Sequence, residues 1–287
     1  MSDYVARVPI RWVDLDAQGP VNNALVADYL QEARVDFLLS GPNAHLLGTS
    51  TVVVAHQVEF IRPVEFRPEP VEVHLRVGHV GASRFTLGYE MRQDGQPVAR
   101  AHTTMCIFDF STGLPRRMTA DERQWFAEHS TALEAFRSLG RWHIGEAAHV
   151  QPVTVRWSDL DVYGHVNNVR VFDYVAEARV RMSPAQDGRT RMQAAAEAGQ
   201  LWMVARQDVD YVNQITHRLE PYQVRSAIAR LGRTSMTIVA QVEDPLGEGL
   251  LLARTRTVLV CGDADGRPVP LPAEMHAAAH RWPAIAH

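Results

Sequence analysis

The amino-acid sequence predicts an α+β protein built from two copies of one unit. Each copy is a β-α-β-β-β-β run in which an antiparallel sheet wraps around a buried helix. Three observations carry this expectation. The chain has 287 residues, room for about two domains. Residues 11–34 (RWVDLDAQGPVNNALVADYLQEAR) and 156–179 (RWSDLDVYGHVNNVRVFDYVAEAR) are identical at 15 of 24 positions, which marks an internal duplication. Within each copy, apolar residues first alternate, then cover a helix-length segment on nearly every side, then recur in four further strand-like runs.

Taken in order, the alternating runs VARVPIRW and VTVRW open the two copies as strands. A DxDxxG turn follows and leads into a segment with Ala24, Leu25, Val26, Tyr29 and Leu30 in the first copy and Val169, Val171, Phe172, Tyr174 and Val175 in the second. A helix apolar all round is a buried one. Four β-rich stretches come next, in the second copy WMVARQDVDYV, LEPYQVRSAIARL, TSMTIVAQVED and LLLARTRTVLVC, separated by Gly, Pro and Asp turns. That order implies an antiparallel sheet packed on the helix. Val58–Phe60 answers Val209–Tyr211 and Gly81 answers Gly232 at an offset of 151, and Ala99-Arg100 answers Ala253-Arg254 at 154. The offset starts at 145, so the second copy holds extra residues, chiefly SPAQDGRTRMQ after Met182. Between the copies, Thr119-Ala120-Asp121-Glu122 has the form of a capping box before a helical run carrying Trp125, Phe126, Leu133 and Phe136, expected to pack on the first sheet. The expected division is residues 1–118, a linker with its helix at 119–149, and 150–287 with a short C-terminal helix.

Composition narrows the chemistry. Hydrophobic residues make up 46% and charged residues 22%, ordinary for a globular chain. All 29 basic residues are arginine, which excludes Schiff-base lysine chemistry and a Walker-type phosphate loop. A net charge of -4 provides no basic field for nucleic acid, and arginine is left as the permanent cation for any phosphate. Cys106 and Cys261 lie in apolar strand-like runs and read as buried and reduced. No basic and apolar leader opens the chain, and no apolar run approaches the roughly 18 residues that span a bilayer, so a cytoplasmic location without a membrane span is expected. His276 and His280 stand at i,i+4 without a third ligand, so no metal is expected.

The chemistry concentrates in Asp161-Val162-Tyr163-Gly164-His165-Val166-Asn167-Asn168 and its counterpart Asp16 to Asn23. An Asp before a Gly turn, with Asn residues at a helix start, sets a carboxylate beside amides that lack internal partners. Such amides can hold a developing oxyanion while the carboxylate activates water or attacks, an apparatus for acyl transfer without serine, cysteine or metal. Asp14 and Asp159 read as turn formers. Glu32 with Arg34 and Glu177 with Arg179 recur in both copies and read as ion pairs holding the helix to its partner unit.

At the string RWxDLDxxGHVNN, followed by YxxEAR, the chain resembles the hotdog-fold thioesterases of the 4-hydroxybenzoyl-CoA thioesterase type. It resembles more closely their tandem, double-hotdog relatives, which include the plant acyl-ACP thioesterases. The resemblance covers nearly the whole chain. It implies a double hotdog with a sheet continuous across both copies, a pseudo-dimer within one chain that related proteins often pair further into homo-oligomers, and a groove for the acyl chain between the copies. It also implies hydrolysis of acyl-CoA, or acyl-ACP, to free acid and thiol, with the thioester as substrate and no cofactor. In that family the second Asp of DxD is the catalytic carboxylate and the helix N-terminus polarises the carbonyl. These roles fall on Asp161 with Val166, Asn167 and Asn168, and on Asp16 with Val21, Asn22 and Asn23. His165 reproduces the Asp–His spacing of the acyl-ACP branch, whereas Pro20 in the first copy supplies neither imidazole nor backbone donor, so the second copy is the expected active site. Tyr163 stands where that branch has Asn, which favours acyl-CoA over acyl-ACP. Two alternatives are a non-catalytic acyl-thioester binding protein, less favoured because Asp16 and Asp161 are both present, and a hotdog hydratase or dehydratase, whose Gly-Asp-x-Asn-Pro turn is missing.

Overall fold

The computed structural model describes residues 3–182 and 199–286. The extra segment of the second copy, residues 183–193, lies outside the described residues. The chain divides after Phe136 into two compact units, so α2 (Ala120–Glu128) belongs to the first and a short strand that follows it to the second.

The first unit runs β1 (Tyr4–Val8), α1 (Asn23–Leu39), β2 (Thr51–Phe60), β3 (Val71–Val80), β4 (Arg84–Gln93) and β5 (Gln96–Asp109), with a two-residue strand β6 (Leu114–Pro115) pairing β5. Its strands are ordered β1-β3-β4-β5-β2, every pair antiparallel. The second unit contains β7 (Trp142–Ile144), β8 (His149–Val153), α3 (Arg170–Arg181), β9 (Leu201–Tyr211), β10 (Tyr222–Leu231), β11 (Ser235–Asp244), β12 (Leu250–Gly262), α4 (Glu274–Arg281) and β13 (Ala284–Ala286). Its order β8-β10-β11-β12-β9 repeats that of the first unit. The predicted β-α-β-β-β-β element order is therefore found in both units.

Alternation explains the core. In β4, Phe85, Leu87, Tyr89 and Met91 are buried, and in β3 Val71, Val73, Leu75 and Val77 are, so period-2 apolar positions build one packed face. Tyr29, Leu30, Ala33 and Leu38 of α1 are at most 2% exposed, as expected for a helix apolar on most sides. The helix α3 departs from that expectation. It buries Val171, Phe172, Tyr174, Val175 and Ala178 but keeps a polar stripe, along which Arg170 pairs with Asp173 at 2.8 Å and Arg181 with Glu177 at 2.6 Å. Arginine and acid at i,i+3 and i,i+4 share one side of a helix, so this stripe stays toward water.

The capping box forms as predicted: Thr119 Oγ1 accepts from the Glu122 N–H at 3.2 Å, and the Glu122 carboxylate accepts from the Thr119 N–H at 2.8 Å. Phe126 then stacks on Phe85 with ring centroids 4.1 Å apart. The helical run is shorter than predicted, ending at Glu128, and Leu133 and Phe136 lie beyond it in a segment that is neither helix nor strand. Leu133 fills the space over Gly78 and Gly88, where a Cβ would approach its Cδ atoms within 2.6 Å, and Phe136 lies against His102. In the second unit Val239 stands at the position of Gly88, and Trp142 and Ile144 of β7 pack there instead.

Glu122 anchors this arrangement. It is 4% exposed, takes two bonds of 2.8 Å from the Arg116 guanidinium and faces His45 Nε2 at 3.1 Å. The Arg116 guanidinium, aided by the Thr119 amide and His45, outweighs burial and lowers the carboxyl from 4.5 to about 2. A lowered carboxyl stabilises the fold above its unfolded value and loses that contribution as pH falls through the folded one. Glu122→Gln should therefore cost about 3 kcal/mol at neutral pH in chemical denaturation. The gap to the parent protein should close as pH drops from 4.5 toward about 2; a gap independent of pH would contradict this origin.

Candidate active site

Each DxDxxG turn begins with a single 3-10 turn, Trp12–Asp14 and Trp157–Asp159, that presents the two aspartates differently. Asp14 and Asp159 point inward. Asp14 is 1% exposed, is gripped by the Arg11 guanidinium at 2.8 Å and accepts the Tyr29 hydroxyl at 2.7 Å. Burial alone would raise the Asp14 carboxyl, but Arg11 and Tyr29 together leave it below the ordinary carboxylate range. Asp159 accepts the Arg156 N–H at 2.9 Å and the Tyr174 hydroxyl at 2.7 Å. Burial, then the bond to its aspartate, raises the phenol of each tyrosine, which stays a donor. The first aspartates are thus turn formers, as read from the sequence, and also bolts between turn and helix. The sequence reads these tyrosines only as apolar residues of the helix, although Asp and Tyr stand 15 residues apart in both copies.

The second aspartates face the other way and are half-buried. The Asp161 N–H donates to the His165 carbonyl at 2.8 Å and the Gly164 N–H to the Asp161 carbonyl at 3.1 Å, a tight loop for which Gly164 takes φ +77°. Left-handed backbone of this kind favours glycine. Oδ1 of Asp161 accepts from the N–H of Tyr163 at 2.9 Å and of His165 at 3.2 Å. Oδ2 has no hydrogen bond among the described residues. Asp16 repeats the loop, with Gly19 at φ +102°, but its Oδ1 accepts only from the Gln18 N–H at 2.7 Å, because Pro20 has no N–H to give. His165 therefore reaches the carboxylate through its main chain.

The helix starts correct one expectation. The amides of Val166 and Asn167 donate to the carbonyls of Ile215 and Asp159, and those of Val21 and Asn22 to Val64 and Asp14, all at 2.8 Å. An amide committed inside the fold has no proton left for an oxyanion, which withdraws these four from that role. In the first copy Asn22 caps α1 by accepting the Ala24 N–H at 3.0 Å, and the Asn23 N–H has no acceptor among the described residues. Asn168 is the counterpart of Asn23 in the repeat. There Asn167 Oδ1 accepts from the Val169 N–H at 3.3 Å, and the Tyr211 hydroxyl donates to the Asn168 carbonyl at 2.7 Å. The turn after Asn168 is wound by i→i+3 bonds, Phe172 N–H to Val169 carbonyl at 3.1 Å among them, and α3 begins only at Arg170. Phe60 stands where Tyr211 does and has no hydroxyl. The sequence signal was the difference between VEF and VDY.

Glu32 is exposed, Arg34 is buried, and Glu177 pairs with Arg181 along its own helix. Arg67 and Arg225 pair with Glu65 and Glu243, whereas Arg84, Arg230 and Arg233 are exposed. Among the described residues no three His, Cys, Asp or Glu side chains cluster as metal ligands, and no helix is long and apolar enough to cross a membrane.

Comparison with known proteins defines the class. The family model of the thioesterase-like superfamily matches residues 10–126 and again 155–279, and the chain belongs to that superfamily. The 12:0-ACP thioesterase from Umbellularia californica superposes with a TM-score of 0.70 at 17% identity, covering 89% of this chain and 93% of its own. An acyl-ACP thioesterase from Bacteroides thetaiotaomicron VPI-5482 gives 0.64 at 12% identity, over 89% and 96%. Both likenesses establish the double-hotdog fold. A relative from Aquifex aeolicus (strain VF5) that carries an esterase designation is 29% identical over 108 residues, 36% of this chain and 84% of its own.

A hydrogen bond to a charged acceptor contributes about 2 kcal/mol and one to a carbonyl about 1 kcal/mol. Tyr29→Phe and Tyr174→Phe should each lower unfolding free energy by about 2 kcal/mol, and Tyr211→Phe by about half as much. Urea denaturation reads all three, and a larger loss for Tyr211→Phe than for Tyr174→Phe would contradict the assignment of Asp159 as the bolt.

Proposed function

We propose that this chain hydrolyses acyl-CoA thioesters, or acyl-ACP thioesters, to a free acid and a thiol in the cytoplasm, with its principal active site at Asp161. The observation that carries this reading is the split use of that carboxylate. One oxygen is fixed by two main-chain N–H groups and the other has no hydrogen bond among the described residues, a few residues before the start of α3. Oδ2 takes a proton from water while the water oxygen adds to the thioester carbon; the carbonyl oxygen becomes an oxyanion held by the Asn168 N–H. The C–S bond then breaks and the thiolate leaves with the proton returned by Asp161. Direct attack by Oδ2, followed by hydrolysis of the anhydride, uses the same two groups. His165 orients water or substrate beside the turn. Asp16, with its single amide contact and the Asn23 N–H, forms a secondary site or a binding half. Arginines take the phosphates of the carrier, since the chain has no other permanent cation.

Thiol release from a panel of acyl-CoAs of different chain length tests the reading. Asp161→Asn should lose at least about a hundredfold in kcat with KM little changed, as expected for a group acting in the transition state. Asp16→Asn should lose less than about tenfold. Full activity in Asp161→Asn with a dead Asp16→Asn would move the site to the first copy, and no thiol release from any acyl-CoA or acyl-ACP would remove the enzymatic reading.

A further inference from the structure

Three polar side chains in the second unit are buried with atoms that find no hydrogen-bond partner among the described residues. Gln207 of β9 is 1% exposed, and Thr255 and Thr257 of β12 are 2% and 1% exposed. The unpartnered atoms are Gln207 Nε2 and the Oγ1 of both threonines. They are neighbours, since Gln207 lies opposite Thr257 in the antiparallel register and Val209 opposite Thr255. Cross-strand partners have Cβ atoms about 5 Å apart, and alternate residues of one strand lie about 7 Å apart. Leaving buried donors unpaired is costly, and three of them together are not an incidental feature of a marginally stable fold.

The fold itself does not need open polar groups here. The corresponding residues of the first unit are His56, Ala101 and Thr103, with His56 and Thr103 opposite each other and bonded Nδ1 to Oγ1 at 2.9 Å. One pair is closed, the third position is apolar, and the site is sealed. The open version occurs only in the copy that carries Asp161 and His165. Its sheet face also carries Tyr211, because residues 207, 209 and 211 alternate to one side of β9, and Tyr211 reaches the start of α3. Charged neighbours use the opposite face: Arg206 is bound to Asp208 at 2.8 Å and Arg256 to Asp210 at 2.8 Å.

We infer that Gln207, Thr255 and Thr257 form a subsite for a neutral oxygen, a hydroxyl or keto group, carried by the acyl chain of the substrate. This rests on the thioesterase reading of the Asp161 site and deepens it to a substrate class. Thr255 stands one alternate step and Gln207 two alternate steps along the sheet from Tyr211, about 7 to 13 Å, so the oxygen lies several carbons from the thioester carbonyl. Gln Nε2 donates, and threonine hydroxyls donate and accept, which suits either oxygen. Arg206 and Arg256 lie on the other face and pair with Asp208 and Asp210, which leaves a neutral oxygen the better match here. A site built to bond a substrate oxygen discriminates strongly against the analogue that lacks it.

The test is kcat/KM of the full chain on acyl-CoAs of equal length that are saturated or carry a mid-chain hydroxyl or keto group. The wild type should prefer the oxygenated chains by about tenfold or more. Thr255→Val/Thr257→Val, and Gln207→His/Thr255→Ala, which installs the residues of the first unit, should bring that ratio to about one and raise the melting temperature of the free protein. Retained preference in both variants, or no preference in the wild type, overturns the proposal, as does a melting temperature lowered by several degrees with the ratio unchanged. A parallel arm needs no turnover: free hydroxy acid of the same length should raise the melting temperature of the wild type and not of the variants. If that shift appears while no thioester is hydrolysed, the subsite stands and the enzymatic reading falls; if it is absent in the wild type, the subsite falls.

Discussion

The bond between the first aspartate of each DxD turn and the tyrosine 15 residues later holds the rest of the arrangement in place. It joins an exposed turn to a buried helix through a charged acceptor in a dry setting, where a hydrogen bond to a charge is strong and its loss leaves a carboxylate without a partner. Once Asp159 is tied to Tyr174, Leu160 bridges to Val166 and the Asn167 amide meets the Asp159 carbonyl. Asp161 is then two residues from a fixed point on one side, and the helix start is a few residues away on the other. The placement of Asp161, the carboxylate proposed to act on substrate, thus depends on Asp159, which is held inside the fold.

Duplication gave two such assemblies, and they have diverged in what they leave unsatisfied. Asp161 holds two amides where Asp16 holds one, because Pro20 replaces His165. Tyr211 draws on the Asn168 carbonyl where Phe60 can make no such bond. Gln207, Thr255 and Thr257 are open where His56 and Thr103 are closed. In each comparison the strand order and register are kept, so the differences lie in side chains that the scaffold does not require. Marginally stable folds tolerate such costs chiefly where function needs them.

Much of this was legible in the sequence, and the limits were physical. The element order of each copy followed from the repeat and from period-2 alternation. The cap at Thr119 was readable because both of its partners lie within four residues. The end of α2 was not, because Leu133 and Phe136 are apolar at positions compatible with either a helix or an extended strip, and the choice is made by Gly78, Gly88 and His102 far along the chain. The catalytic aspartate candidates were legible from a motif, but the amides were not. Val166 is engaged by Ile215 and Val21 by Val64, partners more than forty residues away that no local pattern announces. The polar stripe of α3 was visible as residues and misread as an all-round buried helix, since its ion pairs replace the expected burial.

The central claim, that a thioester is activated between Asp161 and the start of α3, is tested most directly by a crystal structure with an acyl-CoA analogue in which a methylene replaces the thioester sulfur. The account predicts the ketone oxygen within about 3 Å of the Asn168 N–H and the ketone carbon facing Asp161 Oδ2. A ketone lodged instead against Asn23 and Asp16, or one held away from both helix starts, would contradict it.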